Sequence, residues 1–248
     1  MLVIEKDVTG STNDDLKRLT SEAGGHLTVV WARRQTAGRG RHDRQWISEE
    51  GNVFWSILLR PQPTWPSVGE LPFVNALAVK AAIDDALGAN SGISFKWPND
   101  LILQERKVGG SLIEAGAYSD RTPGWIVVGT GVNVRHHPEG AGMVYPPGAL
   151  HSLGFPQASR DAIIERLNIR FCAFLDLWVQ KGFAAIRLAY LQCAHRLGER
   201  VTVGLGHNKT FYEEGIYEGI DIDGALILKK SDGSISRLIT GEVILKAP

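Results

Sequence analysis

The sequence predicts an α+β fold in two parts: a mixed β-sheet with flanking helices, then a small all-β domain. Two observations carry this. Up to about residue 195, strand-like apolar runs alternate with stretches of helical periodicity. Beyond about residue 196 only short alternating runs remain, punctuated by Asp-Gly pairs. The expected division is therefore 1–195 and 196–248.

Residues 11–21, STNDDLKRLTS, read as a short helix. Ser11 or Thr12 can cap it, and Asp14 and Asp15 suit its positive end. LTVVWA (27–32) is β-branched and aromatic, hence a strand; a polar Arg- and Gly-rich segment runs from Arg33 to Asn52. VFWSILL (53–59) is a second strand, ended by prolines at 61, 63 and 66. Over 73–87, Val74, Leu77, Ala78, Ala81, Ala82 and Ile83 fall at helical spacing. Residues 93–97, 101–103, 109–118 and 125–134 are strand-like, and 135–158 form a loop. Ser159 to Gln180 is the clearest helix, with Ile163, Ile164, Leu167, Phe171, Phe174, Leu175 and Trp178 on one stripe. In the tail, Asp223-Gly224 and Asp232-Gly233 sit between alternating runs, the signature of two-residue type I′ hairpins.

At 248 residues the chain can bury a sizeable core without a metal or disulfide staple. Its 27 basic and 27 acidic residues cancel, which argues against bulk binding to nucleic acid or anionic membrane. No run approaches the ~18 apolar residues of a membrane span. Cys172 and Cys193 belong to no CxxC or Cys/His cluster, so a zinc site is not expected; Cys172 reads as a buried free thiol. Few cysteines and no leader-like N-terminus point to the cytoplasm. His136, His137, His151 and His207 have no partner at ligand spacing.

Three segments stand out chemically. Arg33 to Arg44 holds five arginines and no lysine in twelve residues, with Gly38 and Gly40 between them. Arginine forks match phosphate and carboxylate, and glycine admits a ligand close to the backbone. The segment reads as a loop closing over a small polyanion; it is neither a Walker loop nor GxGxxG. Lys96-Trp97-Pro98-Asn99-Asp100, followed by Lys107, is the second. Pro98 sets an extended dipeptide and Asn99-Asp100 a turn, so Lys96, Asn99, Asp100 and Lys107 can converge. Two lysines and one carboxylate suit anion neutralisation and the handling of an amine proton; an ordinary surface ion pair is the alternative. Gly129-Thr130-Gly131-Val132-Asn133 ends an apolar strand with small residues that allow a flat ligand close, though glycine there is also common in bulges. For Ser11-Thr12-Asn13, helix capping is a sufficient explanation.

In this order, Ser11-Thr12-Asn13, Gln35-Thr36-Ala37-Gly38-Arg39-Gly40-Arg41, Trp46, Gly51-Asn52, Lys96-Trp97-Pro98-Asn99-Asp100, Lys107, Gly129-Thr130-Gly131-Val132-Asn133 and Gly241-Glu242-Val243 resemble the biotin protein ligase family, also called biotin–[acetyl-CoA-carboxylase] ligase. The resemblance implies the catalytic core shared with class II aminoacyl-tRNA synthetases and lipoate ligases, then a small SH3-like β-barrel. It implies an ATP-dependent, AMP-forming ligase that makes biotinyl-5′-AMP and transfers biotin to a lysine of a biotin carboxyl carrier domain of a biotin-dependent carboxylase. Biotin and ATP are then substrates, and Mg²⁺ accompanies ATP. The family places biotin against Ser11, Thr12, Asn13, Gln35, Arg39, Gly40, Arg41 and Lys107. ATP or the adenylate falls to Arg41, Trp46, Lys96, Asn99 and Asn133, with Lys107, Arg41 and Asp100 catalytic. Asp100 is the residue expected to orient or deprotonate the incoming lysine.

The chain departs from the family pattern in two places. Asp43 stands where the basic loop usually continues with Gly, and Arg135-His136-His137 replaces a two-arginine run. The Ser11 motif begins so near the N-terminus that no DNA-binding helix-turn-helix, and no role on DNA, is expected. Neither is a membrane partner, while monomer and homodimer stay open. A lipoate–protein ligase on the same fold, and a nucleic-acid-binding module built on the arginine loop, are the rival readings.

Overall fold

The computed structural model describes residues 1–21, 24–41, 44–120, 122–139, 145–206 and 211–244. In chain order the first part contains β1 (Leu2–Thr9), α1 (Thr12–Leu19), β2 (Thr28–Gln35), β3 (Val53–Leu59), α2 (Leu71–Leu87), β4 (Ser94–Lys96), β5 (Asp100–Leu103), β6 (Arg106–Ala115), the small hairpin β7 (Tyr118–Ser119) and β8 (Thr122–Pro123), β9 (Ile126–Val132), α3 (Arg160–Lys181) and α4 (Phe183–Leu191). Seven strands make one mixed sheet in the order β1-β2-β3-β9-β6-β5-β4. Only β1 and β2 run parallel; the other neighbours are antiparallel.

Side chains alternate between the faces of a strand, so one face carries Ile57, Val128 and Val132 against α2 and α3. Trp55 adds an indole N–H donated to Asn168 of α3 at 2.8 Å. The opposite face carries Val30, Leu58 and Val127 beneath Leu16 of α1. Farther along that face the register sets Gly129 and Gly131 of β9 beside Leu112 and Gly110 of β6. There the sheet has almost no side-chain height, and a hollow opens.

The tail is a five-stranded antiparallel sheet, β13-β12-β11-β10-β14. Its strands are β10 (Arg200–Leu205), β11 (Phe211–Ile220), β12 (Leu226–Lys229), β13 (Ile235–Leu238) and β14 (Glu242–Ile244). Its hairpins differ from expectation. Asp221 pairs with Ala225 and Lys230 with Ser234, each around three residues. Only Gly224 (φ 85°) and Gly233 (φ 84°) are left-handed there, whereas a type I′ turn needs positive φ at both central residues. These are three-residue loops with glycine at the left-handed position. The tail is joined to the first sheet by the Trp97 indole N–H, which donates to the Gly224 carbonyl at 2.9 Å.

Two further differences concern elements with weak local signals. LVIEKDVT is strand β1, an edge strand with mostly exposed side chains, so no burial pattern marks it. FAAIRLAYL is helix α4, which follows α3 after Gly182 alone. Cys172 is half-buried rather than buried, because it lies off the apolar stripe of α3. Among the described residues no helix is long and apolar enough to cross a membrane.

Candidate functional site

The hollow over the glycines is a cavity of about 580 Å³, within the ordinary range of ligand sites. Every residue expected at the site lines it: Ser11, Thr12, Asn13, Gln35, Arg39, Gly40, Arg41, Trp46, Lys96, Asn99, Asp100, Lys107 and Asn133.

At one end, Ser11-Thr12-Asn13 does more than cap α1. Ser11 makes no capping bond. Thr12 gives its backbone N–H to Gln35 Oε1 at 2.9 Å, and its hydroxyl lies 2.7 Å from Ser56. Ser56 donates to Asn13 Oδ1 at 2.6 Å, and Gln35 Nε2 donates to Ser48 at 3.0 Å. Asn13 rests on the bare Gly129: a Cβ there would lie 2.1 Å from its Oδ1. The Trp46 indole lies likewise over Gly131, where a Cβ would come within 2.6 Å.

At the other end are cations. Asp100, fully paired, holds Lys107 at 2.6 Å and Lys96 at 2.8 Å. Burial pushes its carboxyl up, but the Lys107 and Lys96 ammoniums outweigh burial and hold it at about 2. Burial alone would lower the Lys96 ammonium; Asp100 and Glu242 reverse that and raise it. Lys96 is only 3% exposed, with Glu242 at 3.4 Å and the Tyr145 ring centroid at 5.1 Å. Lys107 lies 5.7 Å from the Trp46 ring centroid. Arg41 donates to Asn99 Oδ1 at 3.2 Å, and its burial lowers its pKa. Asn99 donates in turn to the Ser111 carbonyl at 2.7 Å.

The arginine loop is thus anchored through three of its arginines. Arg39 is paired with Asp14 of α1 and Glu114 of β6, Arg41 with the β4–β5 turn, and Arg44 with Glu242 of the tail at 2.7 Å. The departure at Asp43 lies outside the described residues, as do His42 and His207. At the other departure, Asn52 Oδ1 accepts the backbone N–H groups of Val134, Arg135 and His136, which fixes the chain beyond β9. His136 and His137 are exposed, and the His151 ring bonds the Ala158 carbonyl at 2.8 Å. Trp97–Pro98 is a cis peptide within the β4–β5 turn.

Asn133 is buried, donates to the Gly148 carbonyl at 3.0 Å, and leaves its Oδ1 without a partner among the described residues. Sequence reasoning did not find Ser56, Glu114, Tyr145 or the contacts of Glu242. Ser56, the lone polar residue of VFWSILL, was the one local clue.

The pattern of the biotin/lipoate A/B protein ligase family matches residues 6–133, and that of the biotin protein ligase C terminal domain matches 197–246. A biotin–[acetyl-CoA-carboxylase] ligase of Paracoccus denitrificans is 39% identical over 91% of this chain and 93% of its own. The chain belongs to the biotin protein ligase family. Among its relatives, the bifunctional ligase/repressor BirA of Bacillus subtilis is 30% identical, over 98% of this chain and 74% of that one. In fold, the biotin protein ligase of Aquifex aeolicus in complex with biotin and ATP superposes with a TM-score of 0.81 at 28% identity, covering 98% of this chain and 97% of that one. As a member of this family, the chain carries the catalytic α+β core and the small C-terminal β domain expected of it.

Proposed function

We propose that the cavity joins biotin to ATP as biotinyl-5′-AMP and then passes the biotinyl group to one lysine of a biotin carboxyl carrier domain. The observation that supports this is the polarity of the cavity. Neutral hydroxyls and amides of Thr12, Asn13, Gln35 and Ser56 gather over Gly129, while Arg41, Lys96 and Lys107 gather at the opposite end. A ligand with a neutral polar head and a carboxylate tail fits that gradient.

In the first step the biotin carboxylate attacks the α-phosphorus, a P–O bond forms, and pyrophosphate leaves. Both reactants are anions, so Lys107 and Arg41 lower their repulsion and meet the charge that builds on phosphorus. Trp46 covers the nucleotide, and Asn133 Oδ1, without a partner among the described residues, offers a buried acceptor for an amino group on it. In the second step the neutral lysine amine attacks the anhydride carbonyl, the C–O bond to phosphate breaks, and AMP leaves, the amine's proton passing to the departing phosphate or to water. With its carboxyl held at about 2, Asp100 is a weak proton acceptor. Its part is to orient: it fixes Lys96 and Lys107.

Magnesium comes with the nucleotide. Among the described residues no three His, Cys, Asp or Glu side chains gather as a metal cage. The ion would be held by nucleotide phosphates, and no step here depends on a protein ligand to it. The division at 195/196 goes with this reading: Phe95 of the first sheet still donates to the Cys193 carbonyl and accepts from the His195 N–H, and Arg200 opens the second.

Biotin-dependent exchange of pyrophosphate with ATP, measured without any carrier protein, tests the first step. Exchange seen only with lipoate, or none with magnesium present, would remove biotin as the substrate. Labelling of a single lysine on a carrier domain tests the second.

A further inference from the structure

Glu114 of β6 belongs to no motif, yet three donors converge on its carboxylate. Asn13 Nδ2 reaches Oε2 at 2.8 Å, Lys17 reaches Oε1 at 2.8 Å, and an Arg39 nitrogen lies 3.3 Å from Oε2. Burial raises the Glu114 carboxyl, but the bonds from Lys17 and Asn13 outweigh it and the pKa is lowered. The group is therefore ionised and can only accept.

That restriction matters because the chain beyond Asn13 can run in two directions. In one, Ser56 donates to Asn13 Oδ1 and accepts from Thr12. In the other, Asn13 is flipped, its Nδ2 donates to Ser56, Ser56 donates to Thr12, and the Thr12 hydroxyl donates to Gln35 Oε1, which lies 3.1 Å away. Hydroxyls accept either direction, and an amide flip changes its shape little. Only acceptors on the far side of Asn13 distinguish them: the Glu114 carboxylate at 2.8 Å is the short, charged one, and the Leu112 carbonyl lies farther off at 3.4 Å.

We propose that Glu114 is a positioning residue that sets the direction of the Asn13–Ser56–Thr12 hydrogen-bond chain, so that Asn13 presents an acceptor oxygen to the N–H donors of a ureido ligand. This rests on the biotin reading above. Gly129 leaves room for that oxygen and no more.

Glu114→Gln is nearly isosteric and separates charge from shape. An amide at 114 has one acceptor oxygen for three donors. When its NH₂ faces Asn13, the chain reverses and a donor meets the ligand N–H. Biotin titrations of wild type, Glu114→Gln, Asn13→Ala and the double variant make a thermodynamic cycle. Glu114→Gln is expected to weaken biotin about tenfold in the wild-type background, about 1.4 kcal/mol. In the Asn13→Ala background it should change affinity less than about twofold, with ATP affinity unaltered in both. Wild type should also discriminate strongly against biotin methylated on a ureido nitrogen, and Glu114→Gln should narrow that ratio. Asp14→Asn, which removes a second carboxylate from Arg39 and Lys17 but leaves the Asn13–Glu114 bond in place, should leave the ratio unchanged. Equal weakening in both backgrounds, a parallel loss of ATP affinity, an unaltered ratio, or no weakening would overturn the proposal. Wild type that binds no biotin at all would instead defeat the substrate reading, before any variant is compared.

Discussion

Replacing Asp100 by Asn leaves shape almost unchanged and removes the charge between two ammoniums. Its side chain is 8% exposed, and Lys96 at 2.8 Å is buried more deeply still. Lowering the carboxyl from 3.8 to about 2 corresponds to roughly 2–3 kcal/mol of native-state stabilisation, at ~1.4 kcal/mol per pKa unit. Breaking a buried pair costs about 3–5 kcal/mol when the other charge is left alone. Here Lys96 keeps Glu242 at 3.4 Å, so about 2–4 kcal/mol is expected at neutral pH. The sign of the pH dependence follows from the direction of the shift. The folded pKa lies below the unfolded one, so the stabilisation is complete above about 4 and is lost as pH falls toward about 2. Urea unfolding of wild type and Asp100→Asn across that range is the assay. The gap between the two should be constant from neutral pH down to about 5 and should narrow below about 4. A gap under about 0.5 kcal/mol at pH 7, or one that persists undiminished in acid, would refute the reasoning, since such a gap is what an ordinary surface substitution gives.

Arg41→Gly removes the fork bonded to Asn99, and a charge-assisted contact of roughly 1.5–3 kcal/mol is ten- to over a hundredfold in retention of the activated intermediate. Incubation with biotin, ATP and an unrelated lysine-rich protein should show promiscuous labelling; labelling no faster than wild type, with adenylate still made, would discard the role. Gly129→Ala puts a methyl 2.1 Å from Asn13 Oδ1, so the KM for biotin should rise about tenfold or more while that for ATP moves little. An unchanged KM for biotin would show that Asn13 is not fixed there. Trp97→Phe deletes the indole bond to Gly224 and should cost about 1 kcal/mol in thermal unfolding, plus the loss of any cooperativity between the two sheets that this bond supplies. A melting curve unchanged in midpoint and shape would count against the bond.

The site was legible as an ordered set of segments, two of which also had plain structural readings on their own. Arginines without lysines, Lys96 to Asp100 in one turn, and small residues ending β9 each led to the cavity. What stayed hidden depends on neighbours distant in sequence. Ser11-Thr12-Asn13 was sufficiently explained by capping, and only the approach of Gln35, Ser56 and Glu114 shows where Thr12 and Asn13 point. Glu114 looked like one polar residue in a half-buried strand, because a hub of three donors has no spacing. Strand β1 escaped for another reason: an edge strand is held by its backbone ladder to β2, and leaves no alternation when both faces are largely open. The Asp-Gly pairs marked the two hairpins but not their turn type, since a left-handed glycine serves both kinds of loop.

The three anchorages of the arginine loop are unequally sheltered from solvent, and that fixes how the loop answers to dissolved ions. Arg44 is 49% exposed in its pair with Glu242, whereas Arg39 is 33% exposed and shares two carboxylates. Counter-ions within a Debye length of about 8 Å at physiological ionic strength weaken the outer pair before the inner ones. Rising ionic strength therefore weakens the Arg44 tie to the tail before the Arg39 ties to α1 and β6. The fastening between the loop and the tail is thus the one that salt reaches first, so the hold of one part of the molecule on the other depends on the solution while the holds within the first part stay sheltered.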